Sequence, residues 1–124
     1  ADVRTRARHA TVLAAVEDGE VLGTVTVELD GRIPGGHPRD PLEPDEAHVR
    51  MLGVRPDARR RGTGRRLMEA AIEAARRAGK RRLTLNTTDG MAAARKMYEG
   101  MGFRRGPDKV WDDGFRLLSY ELDL

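Results

Sequence analysis

A chain of 124 residues, 39% hydrophobic and 35% charged, carries apolar material for one core and leaves little room for a second domain. It has no cysteine, which excludes disulfides, thiolate metal sites and a cysteine nucleophile. The net charge of +3 is modest, its signs are interspersed, and aromatic residues at 4% are too scarce for a base-stacking nucleic-acid platform.

No apolar run approaches the about 20 residues of a bilayer span, and Ala1-Asp2-Val3-Arg4 does not read as a secretory leader. The expected location is cytoplasmic, with no membrane partner. Ala1 to Ala10, bearing Arg4, Arg6 and Arg8, reads as the tail of a helix. Thr11 to Val16 reads as a strand, and Asp18-Gly19 as the turn of a hairpin. Alternation then sets Val21, Gly23, Val25, Val27 and Leu29 on one face and Leu22, Thr24, Thr26 and Glu28 on the other. Residues 31–45 hold four prolines among glycines and charges, so they form a long surface loop.

Ala47 to Val54 is a further strand, closed by Arg55-Pro56-Asp57, and a basic glycine turn leads into a helix. The helix stripe is Leu67, Ala71, Ala74, Ala75 and Ala78 with Met68 and Ile72 beside it, and Gly79 stops it. Arg65–Glu69 and Glu73–Arg77 are spaced as i,i+4 pairs on its wet face. Arg82 to Asn86 is a short strand; Thr88 or Asp89 can cap a second helix with the stripe Met91, Ala94, Met97, Tyr98 and Met101. Gly102 ends it, Phe103 opens a strand, and Phe115 to Leu124 is the closing hairpin partner. The order describes an α/β domain with a mixed sheet.

The most informative segment is Arg59-Arg60-Arg61-Gly62-Thr63-Gly64-Arg65-Arg66-Leu67. A strand delivers the chain to a helix N-terminus whose first amides lack intrahelical partners, and two glycines let backbone approach a diphosphate. The helix dipole adds about 0.3–1 kcal/mol for an anion there. No Gly-Lys-Ser/Thr follows, so this is not a Walker loop, and the third glycine of a dinucleotide fingerprint is absent.

The segment resembles motif A of the GNAT N-acetyltransferase superfamily, Gln/Arg-x-x-Gly-x-Gly/Ala, which Arg59 to Gly64 fits at every defined position. The lead-in Val49-Arg50-Met51-Leu52-Gly53-Val54 also matches. Ala92 to Phe103, with Tyr98 and Gly102-Phe103, resembles the family's motif B, Met97 standing where that pattern has leucine. The resemblance covers Ala47 to Arg105 and implies the GNAT (acyl-CoA N-acyltransferase) fold over a single domain, 1–124: a mixed, mostly antiparallel sheet with flanking helices.

What the resemblance implies can be set on residues. The strands before and after the motif A helix splay, and Leu52, Gly53 and Val54 offer backbone groups to the pantetheine arm of acetyl-CoA. An amide near Leu52 polarises the thioester carbonyl. Amides from Arg60, Arg61, Gly62, Thr63, Gly64 and Arg65 wrap the pyrophosphate, and Arg59 to Arg61 reach the 3′-phosphate. Tyr98 is the general acid for the leaving thiolate; without the motif its place on the apolar stripe reads as core.

A lysine-like amine with a pKa of about 10.4 costs roughly 4.6 kcal/mol to deprotonate at pH 7. His48 stands where many members carry a glutamate and is the candidate base, with Glu46 as the carboxylate alternative; a plain packing role for His48 stays open. The asparagine that many members carry near the start of the motif B helix is absent, Met91 occupying that neighbourhood, and Asn86 is the candidate to supply a polar contact to the pantetheine. On this reading residues 1–10 resemble the end of the family's second helix. The family's first strand and most of its first two helices are then missing, Thr11 to Val16 is a bare edge, and a homodimer is open.

The implied activity is acetyl transfer from acetyl-CoA directly to a primary amine of a small-molecule or peptide acceptor, without metal or covalent intermediate. Residues 31–45 are the expected contributors to acceptor choice. Two alternatives stand beside it: a non-catalytic acyl-CoA-binding module, and a basic nucleic-acid-binding domain built on Arg59–Arg61, Arg65, Arg66, Arg76, Arg77, Arg81 and Arg82, with steep salt dependence.

Overall fold

In a computed structural model of the chain, Asp18 and Gly19 both take positive φ, 51° and 80°, the two-residue turn whose twist matches that of the strands it joins. The structure describes residues 2–6, 10–29, 42–59, 62–88, 90–110 and 112–124. The strands are β1 (Asp2–Arg6), β2 (Ala10–Glu17), β3 (Glu20–Glu28), β4 (Glu46–Val54), β5 (Arg82–Thr87), β6 (Arg104–Arg105), β7 (Lys109–Val110) and β8 (Arg116–Asp123). The helices are α1 (Thr63–Arg77) and α2 (Ala92–Gly100), with a 3-10 turn at Pro56–Ala58. The sheet order is β1-β2-β3-β4-β5-β8-β6, with β7 against β8. Among the described residues only β4 and β5 pair in parallel, joined by the α1 crossover.

The N-terminal reading is corrected. Residues 2–6 are not a helix tail but a strand paired antiparallel with β2, from Asp2↔Val16 to Arg6↔Val12. Val3 and Thr5 alternate with Arg4 and Arg6 at the strand period of two, and β-branched residues suit a pleated surface. Thr11 to Val16 is therefore an inner strand and not a bare edge.

The face assignment of β3 also needs one change. Val16 pairs with Val21 and Ala15 with Gly23, so Leu22 is the extra residue of a bulge. The bulge inverts the phase: Val21 is 49% exposed while Leu22 is 6% exposed. Beyond it the expected alternation holds, with Gly23, Val25 and Val27 buried.

One sheet face carries the core. Leu13, Ala15, Val25, Val27, Ala47, Val49, Leu83, Leu85, Leu118 and Tyr120 form it, closed over by Leu67, Met68, Ala71 and Ala75 of α1 and by Tyr98 and Phe103. The α1 stripe follows the i,i+4 spacing from Thr63 through Leu67 and Ala71 to Ala75, so Ala74 is half-buried and Ala78, at the C-cap, is exposed. Gly79 ends the helix at φ 77°, and Arg65–Glu69 and Arg77–Glu73 pair at 3.9 and 3.2 Å. The α2 cap differs from expectation: the N-cap is Met91, with no side-chain capping bond, and the Met91 N–H donates to the Thr88 carbonyl at 3.2 Å. Asp89 lies outside the described residues, as do residues 31–41 of the proline-rich segment.

Candidate active site

The site begins where two strands part. β4 and β5 pair at Glu46↔Arg82, Ala47↔Leu83, His48↔Thr84 and Val49↔Leu85, and no further. Beyond that point β4 carries a bulge: Thr24 faces Gly53 while Thr26 faces Arg50, so β4 spends three steps against two on β3. The bulge turns Leu52 and Val54 toward the core cluster and leaves Gly53 exposed. β5 stays paired with β8 as far as Thr87↔Leu118. The expected splay is thus present, with Leu52, Gly53 and Val54 along one side and Asn86 on the other.

The chain leaves β4 through a stapled turn. The Arg55 N–H donates to Leu22 O at 2.8 Å, and its guanidinium holds Asp57 at 2.6 Å and Glu20 at 3.2 Å. Those carboxylates, Asp57 first, hold the Arg55 proton even more firmly than usual. Gly62 is the N-cap of α1 at φ 78°, the left-handed region that favours glycine, with open space where a Cβ would stand. No side chain caps this helix and no acidic residue occupies its first turn. Its first ladder bond runs from Arg66 N–H to Gly62 O at 3.0 Å, which leaves the amides of Thr63, Gly64 and Arg65 without intrahelical acceptors.

Thr63 is buried and its hydroxyl donates to Ala58 O at 3.4 Å. Arg59 and Arg65 are exposed; Arg60 and Arg61 lie outside the described residues. A Cβ on Gly64 would sit 3.7 Å from Val54 Cγ2 and 3.8 Å from Met97 Sδ. The end of β4, the start of α1 and the body of α2 therefore meet at one point.

Tyr98 follows Met97 and is 5% exposed, its ring 5.9 Å from those of Phe103 and Tyr120. The ring is core. Burial pushes its pKa above the ordinary phenol value, so the proton is held at neutral pH.

On the opposite, polar face of the sheet, the structure joins His48 and Glu46 through a residue that the sequence had not marked. His48 is 8% exposed, and its Nδ1 lies 2.7 Å from Thr84 Oγ1. The Thr84 hydroxyl lies 2.6 Å from Glu46 Oε2. Glu46 Oε1 accepts the Glu43 N–H at 3.1 Å and sees Arg82 at 3.7 Å. The signal for Thr84 was its place between Leu83 and Leu85, which puts it on the polar face; which β4 residue stands beside it depends on the register. Asn86 lies on the same face, its Oδ1 accepting the Ser119 hydroxyl at 3.1 Å. Among the described residues no group of three or more His, Asp or Glu could hold a metal ion, and no helix is long and apolar enough to cross a membrane.

No curated protein matches the chain. The fold is similar to a GNAT family acetyltransferase from Elizabethkingia anophelis with acetyl-CoA bound, at TM-score 0.77 and 14% identity, covering 94% of this chain and 77% of that one. It is similar to the ribosomal-protein-S18-alanine N-acetyltransferase from Escherichia coli, at TM-score 0.74 and 22% identity over 95% and 71% of the two chains. The GNAT domain of S. lividans PAT is 28% identical at TM-score 0.73, with 94% of this chain and 61% of that one covered. The model of the acetyltransferase (GNAT) family matches residues 2–103, and the chain belongs to that family of acetyl-CoA-dependent acyltransferases.

Proposed function

We propose that the chain is an N-acetyltransferase that moves the acetyl group of acetyl-CoA directly to a primary amine. The observation that carries this reading is the parting of β4 and β5 after Val49 and Leu85, beside an uncapped helix N-terminus headed by Gly62. The residues fit the cosubstrate. The amides of Thr63, Gly64 and Arg65 have donors to spare for a diphosphate, Gly62 leaves its space open, and Arg59 to Arg61 supply charge for phosphate. Backbone groups of Leu52, Gly53 and Val54 would line the pantetheine arm. Acetyl-CoA brings the activated thioester when bound.

The remaining chemistry belongs to the chain. Tyr98 holds its proton at neutral pH and is the donor for the departing thiolate. His48, or Glu46 through its neighbourhood, takes the proton that the attacking amine must lose. The acid stands on the helix-covered face and the base on the polar face, so the cleft between the strands is where donor and acceptor meet. The acceptor enters from the polar face.

Calorimetric titration with acetyl-CoA, and with dephospho-coenzyme A beside it, tests the reading. Saturable one-site binding is expected, weaker for the dephospho form, with thiol release on an amine panel. Binding without release on any amine supports the non-catalytic module instead, and no binding by a folded chain overturns the site.

A further inference from the structure

A short helix cannot hold itself, since isolated helices under about 12–15 residues are marginal in water. α2 has 9 residues and no side-chain cap, and of those residues, all described, only Tyr98 is buried. Its setting on the sheet must therefore come from tertiary contacts, and several converge on Tyr120 of β8, which is 1% exposed. The Tyr120 ring stands 5.9 Å from that of Tyr98. Its hydroxyl donates to Glu99 Oε2 at 2.6 Å and accepts from Arg95 Nε at 3.3 Å. Arg95 and Glu99 lie one turn apart on the same helix face, and Tyr98 immediately precedes Glu99. Contacts a turn apart resist both sliding and rolling of the helix.

Tyr120 is itself fixed from both sides. It is the ladder partner of Leu85 on β5 and of Arg105 on β6, and the Arg105 guanidinium lies 5.6 Å from its ring centroid. Leu85 is the last β5 residue that pairs with β4. One residue thus links the point where the cleft opens to the helix that carries Tyr98. A tyrosine suits the place, because its ring fills the core while its hydroxyl reaches polar partners.

We infer that Tyr120 is a positioning residue: through Glu99 and Arg95 it sets α2 against the opening of the β4–β5 cleft and so holds Tyr98 in place. The catalytic part rests on the proposed transfer with Tyr98 as the acid, while the anchoring part stands on geometry alone. Tyr120 passes no proton in this scheme. Misplacing a reacting group by about 1 Å can cost 10²-fold in rate, so a loosened α2 is read in kcat.

The test is a double-mutant cycle of Tyr120→Phe with Tyr98→Phe, on an amine that wild type acetylates. Tyr120→Phe keeps the ring and removes only the hydroxyl. It should lower kcat at least about fivefold and leave the KM for acetyl-CoA unchanged. With Tyr98→Phe already present, the further fall should be less than about twofold, because the placement of a missing hydroxyl no longer matters. An unchanged kcat, or an equal fall in both backgrounds, overturns the inference. Glu99→Ala should reproduce the loss, and Glu99→Gln, which keeps an oxygen to accept the Tyr120 hydroxyl, should recover the rate. This pair carries the test if Tyr120→Phe does not fold, because Glu99 is exposed.

Amide exchange reads the anchoring without turnover. α2 should exchange at least about fivefold faster in Tyr120→Phe and Glu99→Ala but not in Glu99→Gln, with β3 unchanged. An α2 exchange rate that stays the same, or that quickens equally in β3, overturns the anchoring. A wild type that acetylates no amine overturns the proposed function and leaves amide exchange to decide the anchoring.

Discussion

Val49 on β4 and Leu85 on β5 are the last residues across which the two parallel strands pair, although the strands run on to Val54 and Thr87. Each strand is held on its outer side past that point, β4 by β3 at Gly23↔Val54 and β5 by β8 at Thr87↔Leu118. The gap is therefore a fixed feature of the sheet and not a frayed end. A bulge on β4 supplies the divergence, which is how sheets commonly re-aim a strand beside a site.

Gly23 sets how closely β3 approaches the cleft-lining segment. A Cβ there would lie 2.7 Å from Gly53 O, 3.1 Å from Leu67 Cδ1 and 3.3 Å from Val54 Cα. The first and last of these are backbone and cannot swing away. Gly23→Ala should cost about 1–3 kcal/mol of stability by overpacking, read from urea unfolding. Because the strain presses on Gly53, acetyl-CoA affinity measured by calorimetry should fall with it.

Gly62→Glu separates binding from folding. Its φ of 78° makes any side chain strained, at about 1–2 kcal/mol, but nothing lies within 4 Å of the new Cβ. The negative charge itself suits a helix N-terminus. Against a bound diphosphate about 4 Å away the same charge costs about 4 kcal/mol at an effective dielectric of 20. The variant should fold with a modest loss of stability and lose detectable binding of acetyl-CoA; tight binding would remove the diphosphate from this turn.

Tyr98→Phe keeps the ring that packs on Phe103 and Tyr120 and removes only the hydroxyl. Binding should be unchanged and kcat should drop by about 10²-fold. The stability effect has a pH window. Burial raises the folded pKa above the unfolded value of about 10. The phenol's contribution is therefore complete below that value and is lost as pH rises through the folded pKa. Wild type should weaken on the alkaline side more than Tyr98→Phe does, in thermal melts from pH 9 upward to about 11.

Asp108 ties the far end of the sheet. Its carboxylate pairs with Arg105 and lies 2.6 Å from Arg116, which joins the chain after β6 to the start of β8. Arg105 first, then Arg116, hold the Asp108 pKa below the ordinary carboxylate range, against the opposing effect of burial. A depressed carboxylate contributes stability above its unfolded pKa of about 3.9 and loses it as pH falls through the folded value. Asp108→Asn should remove that acid-side dependence and speed amide exchange in β7 and its partner residues Arg116 and Leu117 of β8.

Several elements were legible because their signals are local. The Asp18-Gly19 turn, the α1 stripe around Leu67 and Ala71, and the stops at Gly79 and Gly102 follow from residue type and spacing, and each appears where expected. Residues 2–6 misled because five residues are too few for either period to stand out; pairing with β2 decided for a strand. Leu22 and Val21 exchanged roles because a bulge is a property of two strands, and a single strand's alternation cannot reveal it.

The candidate site divides in the same way. The sequence by itself marked the candidate anion-binding turn at Gly62 and Gly64, the tyrosine at 98 and the candidate bases His48 and Glu46, since glycine spacing and side-chain chemistry are written residue by residue. Only the tertiary structure decided that β4 and β5 part after Val49 and Leu85, that the Tyr98 ring packs in the core, and that Thr84 stands between His48 and Glu46. The Thr84 contacts join residues 36 and 38 positions apart in the chain. They come into being with the register of the parallel ladder, which no local preference encodes.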